Sequence, residues 1–412
     1  MASGPGLRLS VGQLVTDPRL PPVRGGALLA GDGQILAAGP EPAVPRPPGA
    51  AELAFPGCTA LPGLIDSHVH LTLSAGPDCL AVLESETDEQ LVERGLANAR
   101  RMAAAGITTV ADLGARGQAG FEIARRAAAG PPFARVLAAG APITPSRGHT
   151  CFFGGEADGA AGVAAAVRDR VERGAAIIKI IATGGAMTAG TDPLAASYPV
   201  PVLAAAAREA RLLGRPVTAH AHGTAGIRAA LAAGLDAVEH ATMLGAGGDW
   251  EFDAALAAGI AAAGMRVIPT AAAGRRYERT GGAWTAALPN RATGSDTRTR
   301  NAGALLRSGV TLVAGTDAGI AHTDFGDELF TELEAYVSVG MNPAAAIGAA
   351  TTSAAAHLRL EASTGTLAPG RAADVLIVEG DPLSDITALR RTRLVLRAGQ
   401  QVGPVPPPAE PP

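Results

Sequence analysis

Between about residue 61 and residue 360 the chain alternates short apolar runs with Ala-rich helical stretches, and it does so eight times. The predicted strands are Gly63–Val69, Thr108–Asp112, Ala134–Ala139, Ile177–Ile181, Val217–Ala221, Ala237–His240, Met265–Thr270 and Thr311–Thr316. The predicted helices are Thr87–Ala105, Phe121–Ala129, Ala160–Gly174, Val200–Leu213, Thr224–Ala233, Asp253–Ala263, Asp296–Ser308 and Pro343–Leu358. Strands separated by helices must run parallel, because each crossover returns the chain to the same end of the sheet. Eight such units argue for a (β/α)8 barrel, a TIM barrel, over an open sheet.

The two ends read differently. Residues 1–60 punctuate short apolar runs with Gly and Pro turns, and the texture returns after Gly365 in Ala373–Val378 and Leu394–Ala398. The ends are expected to pair into one small antiparallel β-domain, a β-sandwich built from both chain ends. The expected division is 1–60 and 363–403 for that domain, 61–362 for the barrel and 404–412 for a flexible tail. At 412 residues the chain is long enough for a large core and a smaller partner domain.

In a barrel the chemistry collects at the C-terminal ends of the strands. His68 and His70 close the first predicted strand, and on a strand i and i+2 face the same side, so both rings can meet one metal ion. Lys179 lies in the fourth strand, His220 and His222 end the fifth, His240 the sixth and Asp317 the eighth. Singly, each has an ordinary explanation: a core histidine, or a helix-capping carboxylate. Together they set five of the eight histidines, a lysine and a carboxylate around one barrel mouth. Imidazole nitrogens and a carboxylate oxygen suit a borderline divalent ion such as zinc.

Composition sharpens one position. Lysine and arginine total 34, yet Lys179 is the only lysine. An ammonium can lose its proton and react, whereas a guanidinium effectively cannot. Beside two cations this lysine must be neutral or modified, which suggests a carbamate whose oxygens bridge a metal pair. The alternative, a Schiff-base lyase using Lys179, leaves His68, His70, His220 and His240 without a task.

These residues resemble the amidohydrolase superfamily, and within it the imidazolonepropionase-like and Xaa-Pro dipeptidase (prolidase)-like group. The resemblance rests on Pro62-Gly63-Leu64-Ile65-Asp66-Ser67-His68-Val69-His70, on Lys179 followed by Thr183-Gly184-Gly185, and on His220-Ala221-His222-Gly223. Glu239-His240, Thr316-Asp317 and Pro369-Gly370-Arg371-Ala372-Ala373-Asp374 complete it. It implies two divalent metal ions, expected to be zinc. His68, His70 and Asp317 would hold the first and His220 and His240 the second, with carboxylated Lys179 bridging them. It further implies Asp317 as the proton-transfer residue, with His222 and His149 as substrate contacts. His149 lies in Ser146-Arg147-Gly148-His149, which is similar to the group's third-strand loop.

The expected reaction is hydrolysis of a carbonyl–nitrogen bond in a dipeptide or N-acyl amino acid with a free carboxylate. A cyclic amide or aryl amide is the alternative, and a non-catalytic binding module would lack a ligand, which this chain does not. Arg275, Arg276 and Tyr277, in the arginine-rich stretch 274–284, could grip the carboxylate through a planar guanidinium. A net charge of -4 and 17% charged residues argue against a nucleic-acid partner. The Ala-rich tracts are too interrupted to span a membrane. Cys58, Cys79 and Cys151 form no paired pattern, which with the lack of a secretory signal suggests a cytoplasmic setting. A homo-oligomer is compatible with the resemblance, but no sequence stripe defines its interface.

Overall fold

The computed structural model describes residues 6–273, 275 and 295–404. The expected residues Arg276 and Tyr277, and most of the expected tail, lie outside the described residues.

The chain opens with β1 (Leu7–Leu14), β2 (Val23–Gly31), β3 (Gln34–Pro40) and β4 (Ala51–Pro62). A single glycine, Gly63, then separates β4 from the first barrel strand. After the barrel come β12 (Val375–Glu379), β13 (Thr392–Arg397) and β14 (Gln400–Gln401), and all seven strands form one sheet in the order β14-β13-β12-β4-β1-β2-β3. The two chain ends meet where β12 pairs with β4. The sheet is mixed, because β1 and β4 run parallel. After the β2–β3 hairpin, residues 41–50 carry the chain across to the other edge of β1 without reversing its direction. Along β12, Val375 and Ile377 enter the sheet's own core, while Leu376 and Val378 pack into the barrel's. Burial on both faces explains why this run is apolar without alternation.

The barrel strands are β5 (Leu64–Val69), β6 (Ile107–Asp112), β7 (Arg135–Ala138), β8 (Ile178–Ile181), β9 (Val217–Gly223), β10 (Ala237–Leu244) and β11 (Arg266–Ile268). They pair in parallel as β5-β6-β7 and β8-β9-β10-β11, and an Ile143–Ile180 bridge joins the two sets. The eighth position, expected as a strand over Thr311–Thr316, is an extended segment held by isolated bridges Val267–Leu312 and Val69–Ala318. The Ser67 N–H donates to Ala314 O at 3.0 Å and the Asp317 N–H to His68 O at 2.7 Å, so the barrel closes onto the segment that carries Asp317. Closure needs Gly315: a Cβ there would sit 2.5 Å from Ile268 Cγ2 and 3.0 Å from His68 Cβ.

Helices flank the strands. α1 (Cys79–Ser85) and α2 (Asp88–Ala104) follow β5, and α2 starts with a capping box in which Thr87 and Gln90 bond each other reciprocally. α3 (Ala119–Ala127), α4 (Gly159–Glu172), α5 (Val200–Leu212), α6 (Thr224–Ala232) and α7 (Ala254–Ala263) continue the alternation, followed by α8 (Ser295–Arg307). α1 and α9 (Asp327–Ser338) lie where no helix was expected. The expected helix Pro343–Leu358 is two, α10 (Pro343–Ala349) and α11 (Thr352–His357). The break has a cause: Ala349 O accepts from Ala314 N at 3.0 Å and Ala350 O from Ile65 N at 2.7 Å, so barrel backbone takes carbonyls that a continuous helix would use. α11 then sends Ala354 and Ala355 into the cluster formed by Ile65, Leu137, Ile268 and Val313. No helix among the described residues is long and apolar enough to cross a membrane.

Candidate metal centre

The strand ends bring the predicted donors together. His68 Nε2 and His70 Nε2 lie 3.2 Å and 3.3 Å from Asp317 Oδ1. His220 Nδ1 lies 3.0 Å from His240 Nε2. The rings of His222 and His240 stack at 4.8 Å. All of these side chains are buried, and they line one cavity that opens to solvent.

The second nitrogen of each ring is tied down. His68 Nδ1 meets Glu239 Oε2 at 2.8 Å, and Glu239 Oε1 accepts from Thr218 Oγ1 at 2.5 Å. His70 Nδ1 meets Gly114 O at 3.3 Å, His220 Nε2 meets Gly184 O at 3.2 Å, His222 Nδ1 meets Thr242 Oγ1 at 2.8 Å and His240 Nδ1 meets Thr270 Oγ1 at 2.8 Å. Five imidazoles are thus oriented from outside, with the other nitrogen turned to the centre. That is the outer-shell arrangement of histidine metal ligands. The donor set of this chain therefore fits divalent metal.

Backbone conformation contributes. His240 and Asp317 have φ of 64° and 63°, in the left-handed region that non-glycine residues avoid. In a regular strand the neighbours Glu239 and His240 would face opposite sides; the turn at His240 lets both reach the barrel interior. Each such residue costs on the order of 1–3 kcal/mol and is held by its surroundings. Asp66 provides part of that support, accepting from Thr316 N at 3.1 Å, Thr316 Oγ1 at 2.7 Å and His68 N at 3.1 Å.

Electrostatics follow the same geometry. Burial and the neighbouring imidazoles hold His220 and His240 well below the usual histidine range. They are neutral, the form that binds metals. Burial alone would push Asp317 up, but His68 and His70 outweigh it and keep the carboxyl well below its ordinary value. Burial lowers Lys179, against the pull of Glu239 and Asp317.

One expectation is corrected. Two groups of His and carboxylate donors have their ligand atoms within 4.8 Å of one another: His220 with His222 and His240, and His68 with His240 and Asp317. Neither includes a carboxylated Lys179 as a bridge. His240 belongs to both groups. Lys179 Nζ is buried and makes no hydrogen bond. His70, expected beside His68, touches Asp317 from outside the tighter group.

Among the expected substrate contacts, His149 is buried in the same cavity, with its ring 4.5 Å from that of His220. Burial drops its pKa to about 3. Arg275 is half-buried and is not one of the described residues that line the cavity. Arg298, which the sequence did not single out, does line it. Its signal was hidden because a helix shows which face it turns inward only once packed.

Residues 59–402 match a family model described as the Amidohydrolase family. A 245-residue stretch, 58% of this chain, is 33% identical to ochratoxinase of Aspergillus niger and covers 48% of that protein. In sequence, the chain thus spans about half the length of the curated relatives it matches. In structure, it is similar to a Xaa-Pro dipeptidase with bound methionine, at TM-score 0.84, 24% identity and coverage of 96% and 99% of the two chains. It is also similar to the crystal structure of A. niger ochratoxinase, at TM-score 0.83, 24% identity and coverage of 97% and 96%. At these identities the structural likeness establishes the fold, a TIM barrel with an auxiliary sheet.

Proposed function

This chain belongs to the amidohydrolase family, and on that premise we propose that it is a two-metal hydrolase cleaving a carbonyl–nitrogen bond. The observation that carries the proposal is the set of five outward-anchored imidazoles gathered with Asp317 in one cavity. Divalent ions, zinc by the nature of the donors, would supply water activation near neutral pH and polarisation of the scissile carbonyl. His220, His222 and His240 would hold one ion, and His68, His240 and Asp317 the other, with His70 steadying Asp317. Asp317 takes a proton from the attacking water and delivers it to the leaving nitrogen. His149, beyond His220, contacts the carbonyl from the substrate side. Lys179 acts electrostatically between Glu239 and Asp317 and bridges nothing.

The substrate class proposed is a dipeptide or N-acyl amino acid with a free carboxylate, in keeping with the likeness to a Xaa-Pro dipeptidase. Three free cysteines suit a reducing, cytoplasmic setting. The test is to strip the protein with a chelator, reload it with zinc, and screen dipeptides, N-acyl amino acids, aryl amides and cyclic amides. Turnover should vanish with the metal and return with it. Activity that survives stripping would overturn the proposal and favour a Schiff base on Lys179.

A further inference from the structure

The left-handed backbone at His240 does not stand alone. Ala241 and Met243 also have positive φ, at 43° and 56° beside the 64° of His240. Together they form a bulge in β10. His240 pairs with Ala221 of β9 and Leu244 with Gly223, so Ala241, Thr242 and Met243 stand opposite His222 alone. A bulge re-aims side chains while it breaks the local ladder. This one turns His240 into both donor groups and brings Thr242 Oγ1 to 2.8 Å from His222 Nδ1.

Backbone in such a conformation persists only where its surroundings over-determine it. Here the hold comes from α8. Asn301 is 1% exposed; its Nδ2 donates to Ala241 O at 2.7 Å and its Oδ1 accepts from Trp250 Nε1 at 3.1 Å. The amide can lie only one way, because an indole N–H only donates and a carbonyl only accepts. Trp250 is itself tied to the far end of the bulge. It forms an antiparallel bridge with Leu244, and the next residue, Glu251, donates its N–H to Met243 O at 3.0 Å. The Arg300 guanidinium lies over the Trp250 ring at 5.5 Å, a second tie between α8 and this indole. Asn301 therefore holds the bulge from both ends, directly at Ala241 and through Trp250 at Met243 and Leu244.

We propose that Asn301 is a positioning residue of the metal centre. It fixes the 240–243 bulge, and through that backbone it places His240 and the Thr242 hydroxyl that orients His222. The inference rests on the two-metal reading above, and it gives the imidazole common to both donor groups a support that lies 60 residues further along the chain.

The test uses the full chain with three substitutions. Asn301→Leu keeps the approximate shape without either hydrogen bond, and Trp250→Phe leaves Asn301 its bond to Ala241. Asn342→Ala is the control: Asn342 caps α10 by accepting from Ala345 N at 2.8 Å, and its loss lowers stability away from the metal centre. N301L should bind zinc about 10- to 100-fold more weakly, read by competition with a chromophoric chelator, and its cobalt-loaded form should show altered visible absorption bands. W250F should weaken zinc by less, within about tenfold. N342A should keep the parent's zinc affinity and cobalt spectrum while losing stability in urea. A merely structural Asn301 would make N301L behave like N342A, and that result would overturn the proposal. A second arm needs no metal. In the metal-free protein, hydrogen exchange read by mass spectrometry should accelerate about tenfold or more over 239–244 in N301L and stay as in the parent over 64–70. Parent-like exchange over 239–244 would also overturn the proposal. Should N301L fail to fold, W250F carries both arms, and parent-like values in it would count equally against Asn301. If the parent itself binds no zinc, the hydrolase reading fails, and the exchange arm still decides whether Asn301 holds the bulge.

Discussion

His68 Nδ1 lies 2.8 Å from Glu239 Oε2, and that contact turns the other ring nitrogen toward Asp317, 3.2 Å away. Its carboxylate bonds His68 and Thr218, so among the proposed ligands its side chain acts through the His68 imidazole. Glu239→Gln keeps the shape and weakens the acceptor. Zinc affinity, read by competition with a chromophoric chelator, should fall about 10- to 100-fold. Unchanged affinity would make Glu239 a packing residue.

Asp317 combines contact with His68 and His70 and the task of moving a proton. Asp317→Asn retains the size and one acceptor oxygen but cannot take up the proton. We expect kcat to drop by roughly 10²- to 10⁴-fold, measured on zinc-loaded protein whose metal content is assayed in parallel. Turnover near the parent value would remove Asp317 from the chemistry.

Gly315 marks the closest approach of the eighth segment to β5 and β11. In Gly315→Ala the new methyl would lie 2.5 Å from Ile268 Cγ2 and 3.1 Å from His68 N. Overpacking of this kind costs about 1–3 kcal/mol. The shift falls between the Ile268 side chain and the strand bearing His68. Urea denaturation should show the loss and zinc titration a weakened site; a variant indistinguishable in both would mean that the seam relaxes freely.

Glu332 offers a pH test away from the metal ligands. It accepts from Ala272 N at 2.6 Å, and burial raises its pKa from 4.5 to about 7. The folded state thus keeps the proton to higher pH than the unfolded chain. The stability that this provides is complete below 4.5 and is lost as pH rises to about 7. The full change is on the order of 3 kcal/mol. His357, held at about 4 by burial against an ordinary 6.5, works in the opposite sense and lowers stability as pH falls through that interval. Glu332→Gln removes only the first effect. Its stability relative to the parent should therefore improve steadily from pH 5 to pH 7, and a pH-independent difference would refute the assignment.

Much of the site could be read along the chain because a barrel sends strand ends to one mouth. His68, His220, His240 and Asp317 needed only that rule to be grouped. What could not be read depends on distances between strands. That His240 belongs to both donor groups follows from a left-handed backbone at that residue, which no residue type announces. The role expected of Lys179 came from its being the sole lysine, a fact of composition that says nothing about where its amine points. The division of Pro343–Leu358 was hidden for a similar reason. Its alanines favour an unbroken helix, and the competing donors, Ile65 N and Ala314 N, lie well outside that stretch of sequence. Glu239, Thr242 and Thr270 look like ordinary strand polar residues until the ring nitrogens they hold are in view.

The pairing of β4 with β12 has a consequence for how the molecule is made. Pro62 and Val375 are register partners, separated by the whole barrel. During synthesis at about 5–20 residues per second, the edge of β4 waits roughly 15–60 s for its neighbour to emerge. An unpaired edge is a template for joining other chains. The nascent protein is therefore most exposed to self-association after the barrel has been translated and before the final sheet strands arrive, and a chain cut short ahead of β12 would remain in that state.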